Sequence, residues 1–377
     1  MKVSILTQPL HTNYGGTLQA FALQYVLKEF GCEPVTINYR KEPLDINPVR
    51  LFLSRLKQKI RHGRVVYSFT DKEIAVISQH HDSFINKYIS RTKPIYRLSE
   101  LKELYASEKF DAVIVGSDQT WRPRYSPRID SFFLDFLKGD KSIKKIAYAS
   151  SFGTDDWEFS DEQTKVFSNL LKEFDSLSVR ESSAIGLCSK NFDVTPQHVL
   201  DPTLLLDKDV YLEMIKDTQS KGCGKVFNYV LDKSVEKKRI ISKVCSLLDK
   251  ESFSTYPEYS EKETRTINDF SFYIYPHIES WVKSFADADF IITDSFHGTV
   301  FSIIFNKPFI AVGNETRGKA RFTSLLRMFN LEHRLISDVD DIDIELIEEV
   351  INFDDVNSTL QELRSASLLF LKKSLSL

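Results

Sequence analysis

Residue types that can bind anions and move protons are concentrated in one short segment, Asp294-Ser-Phe-His-Gly298. A histidine there could contact an anion or transfer a proton near neutral pH, and the glycine would let a ligand approach the backbone closely. The alternative interpretation is structural: Asp294 or Ser295 caps a helix, and His297 is a buried polar group with satisfied partners. The segment by itself favours the structural interpretation, but its surroundings change that balance.

The segment is predicted to lie at the carboxyl end of a strand. Phe290–Thr293 and Phe309–Val312 are short apolar runs typical of buried strands, and Gly298–Phe305 between them has the length and apolar character of a helix. Such a unit builds a parallel sheet, in which ligands bind at the carboxyl ends of the strands. The first turn of the helix adds free N–H groups and a positive dipole end, which suit an anion.

A second group of polar residues follows another apolar run, Asp111–Gly116. Short polar side chains beside an aromatic ring suit a sugar, because the polar groups bind hydroxyls and the ring packs on the C–H face. The alternative is a simple turn with a packed Trp121, but the strand context favours a site. The residues of this predicted site are Ser117, Asp118, Gln119 and Trp121.

The amino-terminal segment has the pattern of strand, loop, helix and strand. Val3–Thr7 and Val35–Tyr39 are predicted strands, and Thr17–Phe30 is a predicted amphipathic helix that ends at Gly31. The dinucleotide fingerprint GxGxxG is absent. The loop is therefore either a tight turn alone or a flexible turn that faces a ligand. The second interpretation makes four residues available to a ligand: His11, Asn13, Tyr14 and Gly15.

Two further positions carry cations after a predicted strand. Arg180 follows the short strand Ser176–Val179, and arginine suits bidentate recognition of carboxylate or phosphate. A surface ion pair with Glu181 is the alternative. The loop after Val312 combines two glycines with cations, so it is either an anion-binding loop or a solvated one. Its candidate cations are Arg317, Lys319 and Arg321.

The chain of 377 residues is long enough for two domains, each with its own core. We predict a boundary just after Pro202, which gives domains 1–205 and 206–340, with terminal helices at 341–377 that pack back on the first domain. A net charge of −3 gives no indication of nucleic-acid binding. The acidic run Asp338–Asp343 precedes a predicted helix and suits its dipole better than a metal ion, so no metal site is expected.

Four scattered cysteines without metal-ligand spacing are typical of reduced thiols in a cytosolic protein. The amino terminus does not have the pattern of a signal peptide, and no apolar run reaches the roughly 18 residues that span a bilayer. A cytoplasmic location is therefore expected. The segment Arg50–Arg64 is rich in cations and lacks acids; it is either a solvated helix face or a patch that meets an anionic lipid surface at the inner face of the membrane.

Taken together, the motifs resemble the polysaccharide pyruvyl transferase family. The matching pieces follow one another in order along about four-fifths of the chain. They are His11-Thr-Asn-Tyr-Gly-Gly16, Val115-Gly-Ser-Asp-Gln-Thr-Trp121, Ala147-Tyr-Ala-Ser-Ser-Phe-Gly153, Ser178-Val-Arg-Glu-Ser182, Val199-Leu-Asp-Pro-Thr203 and Thr293-Asp-Ser-Phe-His-Gly298.

The resemblance implies an α/β fold of two Rossmann-like domains that face a central cleft, as in GT-B glycosyltransferases. It implies transfer of a pyruvyl group from phosphoenolpyruvate, as co-substrate and without another cofactor, to two hydroxyls of a sugar. The family's donor-binding histidine corresponds to His297, and its donor-binding arginine of the first domain corresponds to Arg180. Some members carry arginine two residues before this histidine, where this chain has Ser295; Arg317, Lys319 and Arg321 are the candidates to replace it.

On this interpretation His297 transfers a proton or contacts the phosphate oxygen, and Asp118 is the base or anchor for an acceptor hydroxyl. Ser295 and Gly298 complete the expected donor site. Two other functions use the same architecture: a GT-B glycosyltransferase with a nucleotide sugar, and a glycan-binding protein without catalysis. The sequence leaves open the acceptor sugar, whether that acceptor is lipid-linked, and the oligomeric state.

Overall fold

The computed structural model describes residues 1–42, 69–219, 221–259, 269–313 and 319–377, together with 53, 56 and 57. The basic segment Arg50–Arg64 lies almost entirely outside these residues, and so does Arg317. The backbone of Lys319 is described, but its side chain is not. The predictions that concern these cations therefore stay predictions.

The first lobe is built on a parallel sheet of six strands in the described residues, with the order β2-β1-β3-β4-β5-β6. Its strands are β1 (Lys2–Leu6), β2 (Glu33–Thr36), β3 (Ala112–Val115), β4 (Lys144–Ser150), β5 (Ser176–Val179) and β6 (Gln197–His198). Its helices are α1 (Tyr14–Glu29), α2 (Asp71–Ile77), α3 (Gln79–Tyr88), α4 (Leu98–Ser107), α5 (Asp161–Leu171) and α6 (Ser182–Phe192).

The second lobe repeats this design with five described parallel strands, in the order β11-β10-β9-β7-β8. The strands are β7 (Val226–Tyr229), β8 (Ser252–Phe253), β9 (Phe290–Thr293), β10 (Phe309–Val312) and β11 (Leu335–Ile336). The helices are α7 (Lys208–Met214), α8 (Val235–Leu248), α9 (Ile278–Asp287), α10 (Phe296–Ile304), α11 (Lys319–Met328) and α12 (Ile344–Glu348). The predicted α/β class with parallel sheets is confirmed.

The central strands lie in the interior of each sheet because their sequences are apolar throughout. Every residue of β3, β9 and β10 is buried, which is the pattern of parallel strands covered by helices on both faces. The helix α10 between β9 and β10 is also buried at every position. Because this helix has no solvent-facing side, its start is held rigidly against the rest of the fold.

The long helix α13 (Phe353–Leu375) packs back on the first lobe. Arg364 donates from Nε to the carbonyl of Leu204 and from Nη2 to that of Leu206, each at 2.9 Å. Ser367 Oγ accepts from the backbone N–H of Leu200 at 3.0 Å. In the described part of the chain, no helix is long and apolar enough to cross a membrane.

Candidate active site

A cleft of about 570 Å³ lies between the lobes, at the carboxyl ends of strands from both sheets. The first lobe contributes the loops after β1 and β3, and the second contributes the starts of α10 and α11. The predicted site residues that line the cleft are His11, Asn13, Asp118, Gln119, Ser295, His297 and Arg321. Residues that are far apart in the sequence therefore share one opening.

His297 lies in the first turn of α10, where it is 6% exposed and reaches the cleft. Ser295 is the N-cap of this helix, and its Oγ accepts from the N–H of Gly298 at 3.4 Å. The imidazole packs against the start of α1, so closely that a Cβ on Gly15 would lie 2.1 Å from Nδ1. Two helix N-termini, one from each lobe, thus meet at this ring.

Asp294 borders the cleft but is occupied by structural contacts. Its carboxylate accepts from the backbone N–H of Leu231 at 2.7 Å and of Asp232 at 3.1 Å, and it pairs with Lys237 Nζ. The residue is 1% exposed. It therefore ties α10 to the loop after β7, which confirms a structural interpretation for this residue, although it is Ser295 that caps the helix.

Arg180 joins two carboxylates of the first lobe in a buried network. Its Nη1 donates to Asp201 Oδ2 at 2.8 Å and its Nη2 donates to Asp118 Oδ1 at 3.1 Å. Asp201 Oδ2 also lies 3.5 Å from Nε2 of His297. Through Asp201, the network extends from the first lobe to the histidine of the second.

The alternative of a surface ion pair between Arg180 and Glu181 is wrong. Arg180 is 2% exposed and Glu181 is 1% exposed. Glu181 Oε1 instead accepts from the backbone N–H groups of Phe152 and Gly153, at 2.8 and 3.1 Å. This carboxylate fixes the loop after β4.

The network keeps both aspartates ionised. Burial by itself would raise the pKa of each carboxyl, since a charged group is disfavoured away from water. For Asp118, burial is the largest single influence, but Arg180, His297 and Arg321 together outweigh it and lower the pKa below its usual value. For Asp201, His297 and Arg180 together lower the pKa in the same way.

Arg321 lies in the first turn of α11 and lines the cleft from the side of the second lobe. Its guanidinium carbon lies 5.7 Å from the ring centre of Phe296, and that of Arg180 lies 4.5 Å from the same centre. Burial, with the nearby charge of Arg180, lowers the pKa of Arg321 to about 10. It is therefore still charged at neutral pH.

The prediction that Trp121 contacts a ligand is wrong. The ring is fully buried, stacks on Phe133 at 5.6 Å between centres, and donates from Nε1 to the carbonyl of Phe132. Ser117 needs the same correction, because it is fully buried and its Oγ donates to the carbonyl of Ala149 at 3.2 Å. Both side chains support the loop that carries Asp118.

Tyr14 and two glycines have structural roles instead of the predicted ligand contacts. Tyr14 is fully buried and stacks on Trp281 of α9 at 5.3 Å, which joins the lobes. The flexible-turn interpretation is wrong, because α1 begins at Tyr14 and so contains Gly15. Gly298 does not open the backbone to a ligand: a Cβ there would lie 2.0 Å from Oγ1 of Thr293.

The remaining acceptor-side predictions keep their access to the cleft. His11 and Asn13 are exposed, and Asn13 Oδ1 caps α1 by accepting from Gly16 N–H at 3.1 Å. Gln119 Oε1 accepts from Arg122 Nη1 at 3.1 Å, which fixes its amide at the edge of the cleft. Contact of these side chains with an acceptor stays a prediction.

Several residues of the site were missed by sequence reasoning. Asp201 belongs to the motif Val199–Thr203, and its place just before a proline at a predicted strand end is the signal that could have indicated its role. Phe296 contacts Arg180 and Arg321, which no local pattern indicates. Arg40, Lys41 and Tyr125 also line the cleft, and no local pattern connects these distant positions.

The sequence model of one family, polysaccharide pyruvyl transferase, matches residues 13–316. The chain belongs to the polysaccharide pyruvyl transferase family. The match contains Asp118, Arg180, Asp201 and His297, and it ends before the first residue of α11. As a member of this family, the protein is a transferase. Comparison with curated protein sequences found no significant relative.

Solved structures show what fold this pyruvyl transferase family member has. The UDP-GlcNAc 2-epimerase of Neisseria meningitidis, bound to UDP-GlcNAc, is 11% identical, with a TM-score of 0.54 over 98% of this chain and 100% of that one. The UDP-N-acetylglucosamine 2-epimerase of Rickettsia bellii is 13% identical, with a TM-score of 0.52 over 100% and 97% of the two chains. At such identities the likeness concerns the fold alone, and it confirms the predicted GT-B architecture.

Proposed function

We propose that this protein transfers the pyruvyl group of phosphoenolpyruvate to two hydroxyls of a sugar, forming a cyclic ketal and releasing phosphate. The observation that carries the proposal is the meeting of His297 from one lobe with ionised Asp118 from the other, in one cleft that also contains Arg321. Family membership supports the class of reaction. The cleft contains a histidine, a carboxylate and an arginine, which are the groups that this reaction requires.

The donor brings a phosphate and a carboxylate, and both need positive partners. Arg321 is suited to one of them because it is charged and faces the cleft, and the N-termini of α1 and α10 add positive dipole ends. Some family members have an arginine at the position of Ser295. In this proposal Arg321 supplies the positive charge of that arginine. Arg180 is not assigned the donor contact that the resemblance implies, because its buried guanidinium pairs with Asp118 and Asp201. In this proposal it keeps Asp118 charged.

The proposed reaction forms two C–O bonds to the sugar and breaks one C–O bond to phosphate. The methylene carbon of the donor takes one proton and becomes a methyl group, while a first sugar hydroxyl forms a C–O bond to the central carbon. The second hydroxyl then forms the other C–O bond as the bond to phosphate breaks. One hydroxyl proton replaces the proton used on the methylene, and the other leaves with phosphate, so no oxidant or reductant is needed.

His297 and Asp118 are the groups placed to move these protons. A histidine can both give and take a proton near neutral pH. Asp118 is held ionised, so it can accept a hydrogen bond from an acceptor hydroxyl or take its proton. We assign His297 to the donor side, through proton transfer or a contact with the phosphate oxygen, and Asp118 to the acceptor side.

The acceptor side of the proposal uses three residues that line the cleft: the exposed His11 and Asn13, and the half-buried Gln119. The acceptor is a sugar of a polysaccharide or of a lipid-linked repeat unit. A lipid-linked acceptor would bring the protein to the inner face of the membrane, where the basic segment Arg50–Arg64 would meet anionic headgroups.

Incubation with phosphoenolpyruvate and a panel of aryl galactosides, glucosides and mannosides tests the function. We expect phosphate release by ³¹P NMR and a new ketal methyl signal by ¹H NMR, both strongly reduced in His297→Gln. Turnover of a nucleotide sugar in place of phosphoenolpyruvate would favour a GT-B glycosyltransferase. Glycan binding with neither reaction would favour a non-catalytic role.

A further inference from the structure

Asp201 has a fixed place between the two halves of the site. It is 2% exposed and lies just after β6. Its Oδ1 accepts from the backbone N–H and the hydroxyl of Thr203, at 3.0 and 2.7 Å. Its Oδ2 accepts from Arg180 and lies 3.5 Å from Nε2 of His297. Because Thr203 holds Oδ1 in place, Oδ2 is directed toward Arg180 and His297.

The two nitrogens of His297 have different surroundings. Nε2 is buried, and the nearby Asp201 oxygen is an acceptor at the outer limit of a hydrogen bond. A substrate group in the cleft therefore has no access to Nε2. Nδ1 faces the start of α1 beside Gly15, where the free helix N–H groups and the positive dipole end favour a bare acceptor nitrogen in the neutral ring.

We propose that Asp201 is a positioning residue that holds His297 in the tautomer with the proton on Nε2, which leaves Nδ1 as the nitrogen that exchanges a proton with substrate. The carboxylate accepts the Nε2 hydrogen and stabilises the imidazolium that forms when Nδ1 takes a proton. Arg180 keeps that carboxylate from taking the proton itself. The inference rests on the proposed function for the identity of the substrate, whereas the orientation of the ring does not depend on it.

Nitrogen-15 NMR of histidine-labelled protein tests the tautomer without any substrate. The chain has 8 histidines, and His297→Gln assigns the signals of the one in question. We expect the pattern of a protonated Nε2 and a bare Nδ1 in the neutral wild-type ring, and loss of this fixed pattern in Asp201→Asn. Glu181→Gln is the matched control, because it alters a buried carboxylate that holds the loop after β4. A wild-type ring protonated on Nδ1, or an unchanged tautomer in Asp201→Asn, would overturn the proposal.

Kinetics test whether Asp201 acts through His297. We expect Asp201→Asn to lower kcat on the order of 10²-fold, and Asp201→Asn combined with His297→Gln to be no slower than His297→Gln alone. Losses that multiply would show an independent role and contradict the proposal. Absence of phosphate release in the wild type would instead refute the proposed function, and the NMR result would still decide the positioning role. If Asp201→Asn does not fold, the tautomer of the wild-type ring decides it.

Discussion

Asp118 and Asp294 occupy corresponding places in the two lobes, yet their surroundings give them opposite roles. Each follows a buried central strand and borders the same cleft. Asp294 is held by two backbone N–H groups and Lys237, so its carboxylate stabilises the second lobe. Asp118 has Arg180 as its partner on one oxygen, and it stays directed at the cleft.

The difference shows that the residue type and its position at a strand end do not determine the role. What decides is how many of the acceptor positions of a carboxylate are satisfied by the fold itself. Asp118 also has φ of 77°, a left-handed backbone that non-glycine residues seldom adopt and that clusters at functional sites. Substitutions at Asp118 and Asp294 test this contrast directly, and substitutions at Gly15 and Arg321 test the cleft that Asp118 faces.

The largest effect is expected at Asp118. Asp118→Asn removes the ionised group that we assign to the acceptor hydroxyl, so kcat should fall on the order of 10³-fold. Phosphate release under saturating donor and acceptor measures it. The matched control is Asp130→Asn, which alters a half-exposed carboxylate paired with Arg128. Equal activity of the two variants would show that Asp118 has no chemical role.

Asp294→Asn should act on stability instead. The change leaves the largely buried Lys237 without its closest carboxylate, and we expect the free energy of unfolding in urea to fall by about 3 kcal/mol. Asp289→Asn, which affects an exposed pair with Lys250, should cost no more than about 1 kcal/mol. The kcat of folded Asp294→Asn should match the wild type, and a selective loss of kcat would erase the contrast with Asp118.

Gly15→Ala tests the contact between the two helix starts. The new Cβ would lie 2.1 Å from Nδ1 of His297, so the ring must move. We expect kcat to fall on the order of 10²-fold, because small displacements of a catalytic group are costly. Gly186→Ala, in helix α6 with no atom within 4 Å of the new Cβ, should leave kcat unchanged. If Gly15→Ala retains full activity, the ring is not where catalysis requires it.

A smaller effect is expected at Arg321, the cation that we assign to the donor. Arg321→Gln should raise the KM for phosphoenolpyruvate about 10-fold, because the variant loses one hydrogen bond to a charged group of the donor. The expected change in kcat is slight. Arg327→Gln alters an exposed arginine of the same helix and is the control. An unchanged KM in Arg321→Gln would assign the donor anion to another cation.

The smallest effect concerns stability in acid. The pKa of Asp118 is lower in the folded protein than in the unfolded chain, so its ionised form stabilises the fold above its unfolded pKa. This contribution is lost as the pH falls toward the folded pKa. Between about pH 5 and pH 3, the free energy of unfolding should therefore fall less steeply in Asp118→Asn than in the wild type. Parallel urea titrations measure the slopes, and identical slopes would contradict the lowered pKa.

Much of the fold followed from local patterns in the sequence. The apolar runs predicted β9 and β10 with their observed bounds. Local signals were weaker at helix starts: α1 begins at Tyr14 instead of Thr17, because Asn13 caps it and the glycines continue the helix. Capping depends on which side chain turns back to the backbone, and several nearby residues could have done so.

The site was less predictable, because burial is decided by the whole fold. Trp121 and Tyr14 are of residue types that often contact sugars. In the fold, however, both rings are buried against other aromatic rings, those of Phe133 and Trp281. Asp201 gains its importance from Arg180 and His297, which lie 21 and 96 positions away in the chain. Such three-dimensional partners leave no local signal.

The most direct test of the shared active site is a crystal structure with phosphoenolpyruvate bound. We expect the donor in the cleft between the lobes, with one anionic group on Arg321 and its reacting carbon or phosphate oxygen within reach of Nδ1 of His297. A donor bound outside this cleft, or inside it but remote from both side chains, would contradict a shared active site.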